Sequence, residues 1–178
     1  MEQETQTLSG VITEAFIGLL REKFLLDWNG IHGVAHWARV RSNGLLLAQI
    51  NGAHSRVIEY FAFLHDICRR NDGKDPDHGS RAALYARSLR ENFIVLDDAE
   101  FSLLGAALGG HSHGRYHEDI TVLTCWDADR LDLCRAGIKP RLEHFGTEAA
   151  RDGMIIKRAC ENALAWANER ANDKENVR

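Results

Sequence analysis

Nine histidines are spread unevenly along the 178 residues, and eight of them lie between positions 32 and 117. Three stretches carry side chains suited to metal chemistry. The first is His32-Gly33-Val34-Ala35-His36-Trp37-Ala38-Arg39-Val40, where helical spacing puts His36, Arg39, Val40 and Asn43 on one face. The second is the adjacent pair His65-Asp66 at the end of an apolar run. The third is Trp126-Asp127-Ala128-Asp129-Arg130-Leu131-Asp132, in which Asp129 and Asp132 fall one turn apart and Asp127 points elsewhere. Burying an imidazole and a carboxylate is costly unless something pairs with them. A divalent cation compensates both, through nitrogen and oxygen ligands. Each stretch alone also has an ordinary explanation: a histidine packed beside Trp37, a polar pair at a helix end, a solvated acidic face.

Taken together, the ordered set His36, His65-Asp66 and Asp129 resembles the HD-domain superfamily. The local wording is similar too: His-x-x-Arg-Val at 36–40, an apolar helix ending in His-Asp, and Ala-Asp-Arg-Leu at 128–131. The resemblance spans roughly residues 30–140. It implies an all-α, single-domain, HD-domain-like bundle over residues 1–178. It further implies a metal-dependent phosphohydrolase in which His36, His65, Asp66 and Asp129 ligate a divalent ion (Mn, Mg, Fe, Co, Ni or Zn), with room for a second. The substrate class would be a small phosphorylated compound, a phosphomonoester or a nucleotide. Five-prime-nucleotidase relatives carry Glu three residues after the His-Asp aspartate; here that residue is Arg69, a departure from their pattern. The chain lacks the Gly-Tyr-Pro element of cyclic-di-GMP phosphodiesterases. It is also too short for the accessory domains of the large triphosphohydrolases.

Further polar residues fall beside these motifs. His78 opens a helical pattern on an inward stripe with Ala82, Tyr85 and Leu89, and His111 follows Gly109-Gly110. Both are candidate catalytic acids, phosphate donors or ligands of a second metal. Asp72 is a candidate base, and Asp77 is a candidate helix cap. Arg39, on the His36 face, and Arg81, one turn after His78, are candidate phosphate contacts, because the guanidinium fork can bind two oxygens. Two other readings use the same residues. One is a di-iron oxygenase with His36, His65, Asp66, His78, His111 and Asp129 as ligands and Asp66 bridging. The other is a metal- or ligand-binding module without turnover.

These side chains have to be held by helices. Apolar residues at spacings of three and four mark segments over Leu8–Trp28, 33–50, 55–69, 78–92, 97–108, 120–134 and 147–171. The composite expectation is a bundle of about six to eight helices. Asn29-Gly30, Asn51-Gly52 and Gly137 are stop signals, and Asp97 or Asp98 is a start signal. The run Val57–Leu64 is apolar on most sides and reads as the central helix. The tail from Asn172 reads as frayed. Only Thr121-Val122-Leu123-Thr124 hints at a strand.

Composition narrows the function classes. The net charge of −4 shows no basic surplus, which argues against general nucleic-acid binding, while local basic clusters still suit a small anion. Cys68, Cys125 and Cys134 read as buried free thiols, and no CxxC spacing occurs among the four cysteines. Met1–Thr7 lacks a secretory pattern and no apolar run is long enough to span a membrane, so the expectation is a cytoplasmic protein with no membrane partner. The sequence leaves the oligomeric state open.

Overall fold

The computed structural model describes residues 11–176, so Met1–Thr7 and the first residues of the expected Leu8–Trp28 helix lie outside it, as do Val177 and Arg178. Seven α-helices run in chain order among the described residues: α1 (Glu14–Lys23), α2 (Val34–Asn51), α3 (Ser55–Leu64), α4 (His78–Phe93), α5 (Asp98–Gly110), α6 (Ile120–Arg130) and α7 (Gly153–Asn176). Short 3-10 turns at Leu133–Ala136, Leu142–His144 and Ala149–Arg151 link α6 to α7. No strand occurs among the described residues, and Thr121–Thr124 is helical within α6.

Local chemistry sets most boundaries. Thr13 caps α1 by accepting the Phe16 N–H, so the helix starts later than periodicity predicts. It also ends earlier, because Phe24 and Trp28 turn in to pack on Trp37, with ring centroids 5.0 and 5.3 Å away. Gly52 closes α2 at φ 75°, a left-handed conformation that glycine adopts without a Cβ clash. Asp97 and Glu100 form a reciprocal capping box on α5. Asp77 occupies the cap position of α4 but makes no side-chain capping bond, contrary to the expected cap. Expected to reach residue 69, α3 stops at Leu64. Beyond it the backbone tightens into turns, Ile67 N–H to Leu64 O and Arg69 N–H to Asp66 O. The sixth helix also stops short, at Arg130, and passes into a 3-10 turn. The last helix starts at Gly153 rather than 147 and continues through Asn176, past the point where fraying was expected.

Every residue from Val57 to Leu64 is buried, and α3 packs against α2, α5 and α6. Glu59, the one charge in that run, is neutralised by Arg41. Phe16 of α1 covers Tyr60 at a ring distance of 5.8 Å. A second, smaller apolar cluster of Leu47, Leu131, Phe145, Ala150 and Ala159 seats α7 against α2 and the 3-10 turns. Cys134 is not a free thiol: it is bonded to Cys160 of α7, across a Cα–Cα distance of 5.2 Å that suits a disulfide. Cys68 and Cys125 remain free. None of the described helices is long and apolar enough to cross a membrane.

The two helices α4 and α5 approach tightly at Gly79. A Cβ there would lie 2.4 Å from the Leu108 carbonyl oxygen and 3.1 Å from two ring atoms of His111. Gly79→Ala is expected to force the two helices apart and cost about 1–3 kcal/mol in urea unfolding. An unchanged midpoint would show that this close approach is not needed.

Candidate metal centre

Four imidazoles converge from four helices. His36 lies in the first turns of α2, His65 caps the C-terminus of α3, His78 begins α4, and His111 caps the C-terminus of α5. All four are buried. In each ring Nδ1 faces an acceptor: Asp132 Oδ2 for His36 at 2.7 Å, Ala62 O for His65 at 3.0 Å, Leu108 O for His111 at 2.9 Å, and Asp75 O for His78. The Ala62 and Leu108 carbonyls belong to last helical turns, where carbonyls lack intrahelical partners. An acceptor at Nδ1 requires the proton there, which leaves Nε2 as a lone pair. The four Nε2 atoms then face one another in pairs, His36 to His65 at 3.0 Å and His78 to His111 at 2.7 Å. Two lone pairs at that distance repel unless a cation or a proton lies between them.

Carboxylates complete both pairs. Asp66 Oδ2 lies 3.7 Å from His36 Nε2 and 3.6 Å from His65 Nε2, and Asp129 Oδ1 lies 3.3 and 3.8 Å from the same atoms. The other Asp66 oxygen, Oδ1, is 3.1 Å from His78 Nε2 and 3.8 Å from His111 Nε2. Ligands about 2.1 Å from one ion stand about 3.0–3.4 Å apart at octahedral or tetrahedral angles, close to these separations. The donors of His36, His65 and Asp66 fall within 4.8 Å of one another, as do those of Asp66, His78 and His111. These buried His/Asp groups fit a divalent-metal site. The Asp129 side chain, 21% exposed, is the one donor open to solvent.

Electrostatics favours the ligating forms of His65, Asp66 and Asp129. Burial pushes His65 down to about 3, against the pull of Asp66 and Asp129, so its ring is neutral. Burial opposes ionisation of Asp66, yet the imidazoles, His65 foremost, hold it well below the usual carboxylate range. Asp129 is likewise held low, burial being outweighed by the His36 hydrogen bond and the charges nearby. At His111 burial is outweighed by the hydrogen bond and charge of Asp66, which raise its pKa.

The structure brings together His36, His65, Asp66, His78, His111 and Asp129. It places Arg39, Arg81 and Asp72 elsewhere. The Arg39 guanidinium is committed to Asp132, Nε to Oδ1 at 2.6 Å and Nη2 to Oδ2 at 2.9 Å, and it lies 4.6 Å from the Trp166 ring centre. The same carboxylate takes the His36 Nδ1 hydrogen bond, so the Arg39 guanidinium lies behind the Asp132–His36 pair. Arg81 donates to the Cys68 carbonyl and to Asp75 Oδ2 at 2.6 Å, stitching the loop whose Asp75 carbonyl faces His78. Asp72 is exposed and accepts from His32 Nδ1 at 2.9 Å, so it is not among the converging donors. Asp127 points away, accepting from Gly146 N, Thr147 N and Thr147 Oγ1 and pinning that loop.

Two residues matter more than sequence reasoning allowed. Asp132 is fully buried and receives His36 and Arg39, with Arg135 Nε 3.6 Å away. Arg69, at the position where the nucleotidase pattern has Glu, lies against Asp66 and His78. Its spacing of three residues from Asp66 was the available signal. A groove of about 710 Å³ between α2 and α7 is lined by Arg41, Gln49, Phe63, Arg158 and Asn162 among others, and by none of the converging donors.

No family model and no curated protein matches the chain. Among solved structures it is similar to a predicted HD superfamily hydrolase from an uncultured Thermotogales bacterium. The identity is 24%, the match covers 88% of this chain and 90% of that one, and the TM-score is 0.63. The likeness establishes the fold, an HD-domain-like helical arrangement as the sequence led one to expect.

Proposed function

We propose that this protein is a metal-dependent hydrolase of phosphomonoesters or nucleotides. The observation that carries the reading is the convergence of four buried Nε2 atoms, each ring fixed through Nδ1, around the two oxygens of Asp66. The fold shared with a predicted HD superfamily hydrolase supports it. His36, His65, Asp66 and Asp129 would hold the ion. When bound, a divalent ion supplies a water of lowered pKa and neutralises charge on a phosphoryl group.

The chain's own residues do the rest. Asp129, on the solvent side, leaves the phosphate an open approach. His78 and His111 present Nε2, and a ring carrying protons on both nitrogens would give its Nε2 proton to the leaving oxygen. Asp132, Arg39 and Arg135 keep the His36 ring in the ligating tautomer.

The test is phosphate release from a panel of nucleotides and generic phosphoesters with Mn²⁺, Mg²⁺, Co²⁺ or Ni²⁺. Metal-dependent turnover above an Asp66→Ala control is expected. A panel with no such turnover would remove the hydrolase reading.

One geometric fact favours a second reading. Each Asp66 oxygen faces its own histidine pair, the arrangement a bridged di-iron oxygenase would need. Two iron ions per chain together with oxygen consumption would select it. The inert-module alternative predicts bound metal and an unreactive panel.

A further inference from the structure

The two halves of the cluster differ in charge. The His36–His65 half has Asp129 in addition to Asp66. The His78–His111 half has no second carboxylate among the ion pairs of its histidines, and it has Arg69. Arg69 Nη1 lies 3.2 Å from His78 Nε2, 3.4 Å from His78 Nδ1 and 3.5 Å from Asp66 Oδ1. An ion ligated by His78 Nε2 and Asp66 Oδ1 would sit about 2.1 Å from each, and so within roughly 4.5 Å of Arg69 Nη1.

The guanidinium is not free to withdraw. Nη2 donates to the Gly73 carbonyl at 2.8 Å. The residue is only 9% exposed, and Nε is buried with no hydrogen-bond partner. An unpaired buried N–H costs stability, so the fold holds the guanidinium beside His78 and Asp66 at a cost. Arginine stays charged at every working pH, so this positive charge is permanent.

We propose that Arg69 stands in for the second cation. The chain binds one divalent ion, at His36, His65, Asp66 and Asp129, and Arg69 excludes a second from His78 and His111. This deepens the hydrolase reading and rests on its metal site. Repulsion between a fixed cation and an adjacent divalent ion in a partly desolvated site weakens the second ion roughly a hundredfold or more. His78 and His111 are thereby left unligated, facing the substrate with Nε2.

Mn²⁺ binding decides it, read by titration calorimetry and by elemental analysis after removal of free metal. The wild-type chain and His111→Gln each retain one equivalent. Arg69→Gln retains two, the second lost again when His111→Gln is added, and Arg69→Lys, which keeps the charge, retains one. Wild-type protein holding two ions of affinities within tenfold, or holding none, overturns the proposal. So does a folded Arg69→Gln variant that still binds one. If Arg69→Gln fails to fold by circular dichroism, the wild-type and His111→Gln stoichiometries decide: one equivalent in both supports the proposal, and a wild-type second ion lost in His111→Gln overturns it. One bound ion without turnover would end the hydrolase reading and leave this one standing; two ions with turnover would do the reverse.

Discussion

Asp66→Ala is expected to abolish metal retention at the His36–His65 pair and to reduce metal-dependent phosphate release to background. Asp66 is the one side chain whose oxygens reach both halves, Oδ2 toward His36 and His65 and Oδ1 toward His78 and His111. Removing it takes away a ligand atom and the negative charge that offsets Arg69. Loss of an outer partner of a metal ligand typically costs roughly 10–100-fold in affinity; loss of a charged ligand itself should exceed that. In the metal-free protein, leaving the buried Arg69 cation without its carboxylate should cost about 3–5 kcal/mol of folding stability, moderated by its bond to Gly73. The measurements are Mn²⁺ titration and urea unfolding, with circular dichroism to confirm the fold. A folded variant that binds Mn²⁺ as tightly as wild type would disprove the role of Asp66 as a ligand.

The second large effect is at a residue that would never touch the ion. Asp132→Asn should weaken metal binding by roughly 10–100-fold while leaving every proposed ligand in place. Asp132 takes the His36 Nδ1 hydrogen bond at 2.7 Å, and its negative charge makes that ring a better donor at Nε2. Asparagine keeps the shape but removes the charge and can turn its amide toward Nδ1. It also leaves Arg39 and Arg135 facing a neutral group. Arg39→Gln should produce a smaller loss in the same direction, since Asp132 would keep His36 and Arg135. Equal metal affinity in wild type and Asp132→Asn would mean that the His36 ring is held well enough by packing alone.

Parts of this arrangement were legible in the sequence because they are local. The apolar run Val57–Leu64 reads as a buried helix, and Gly52 and Asp97 mark boundaries by their own backbone chemistry. The separated residues His36, His65, Asp66 and Asp129 could be grouped because a recognisable order ties them together. What the sequence does not show involves partners far apart in the chain. Periodicity puts Arg39 on the His36 face but says nothing of an acceptor 93 residues away. Arg81 was assigned to substrate because its spacing from His78 is visible, whereas the fold of the 69–77 loop that captures it is not. The Cys134–Cys160 bond depends on how α7 returns over the 3-10 turn after α6, a path no local pattern encodes. Likewise, only the crossing of α7 over α2 reveals Trp166 above Arg39.

Of the four imidazoles, three give Nδ1 to a backbone carbonyl three positions earlier: Ala62 for His65, Asp75 for His78, Leu108 for His111. A carbonyl is present whatever side chain it carries, so point substitution cannot delete these anchors or grade their strength. His36 alone leans on a side chain, Asp132. An engineer wishing to tune this centre for a softer or harder ion therefore has one dial and three fixed settings. A graded series at position 132 (Glu, Asn, Ser) would sweep the basicity of one donor against a constant background.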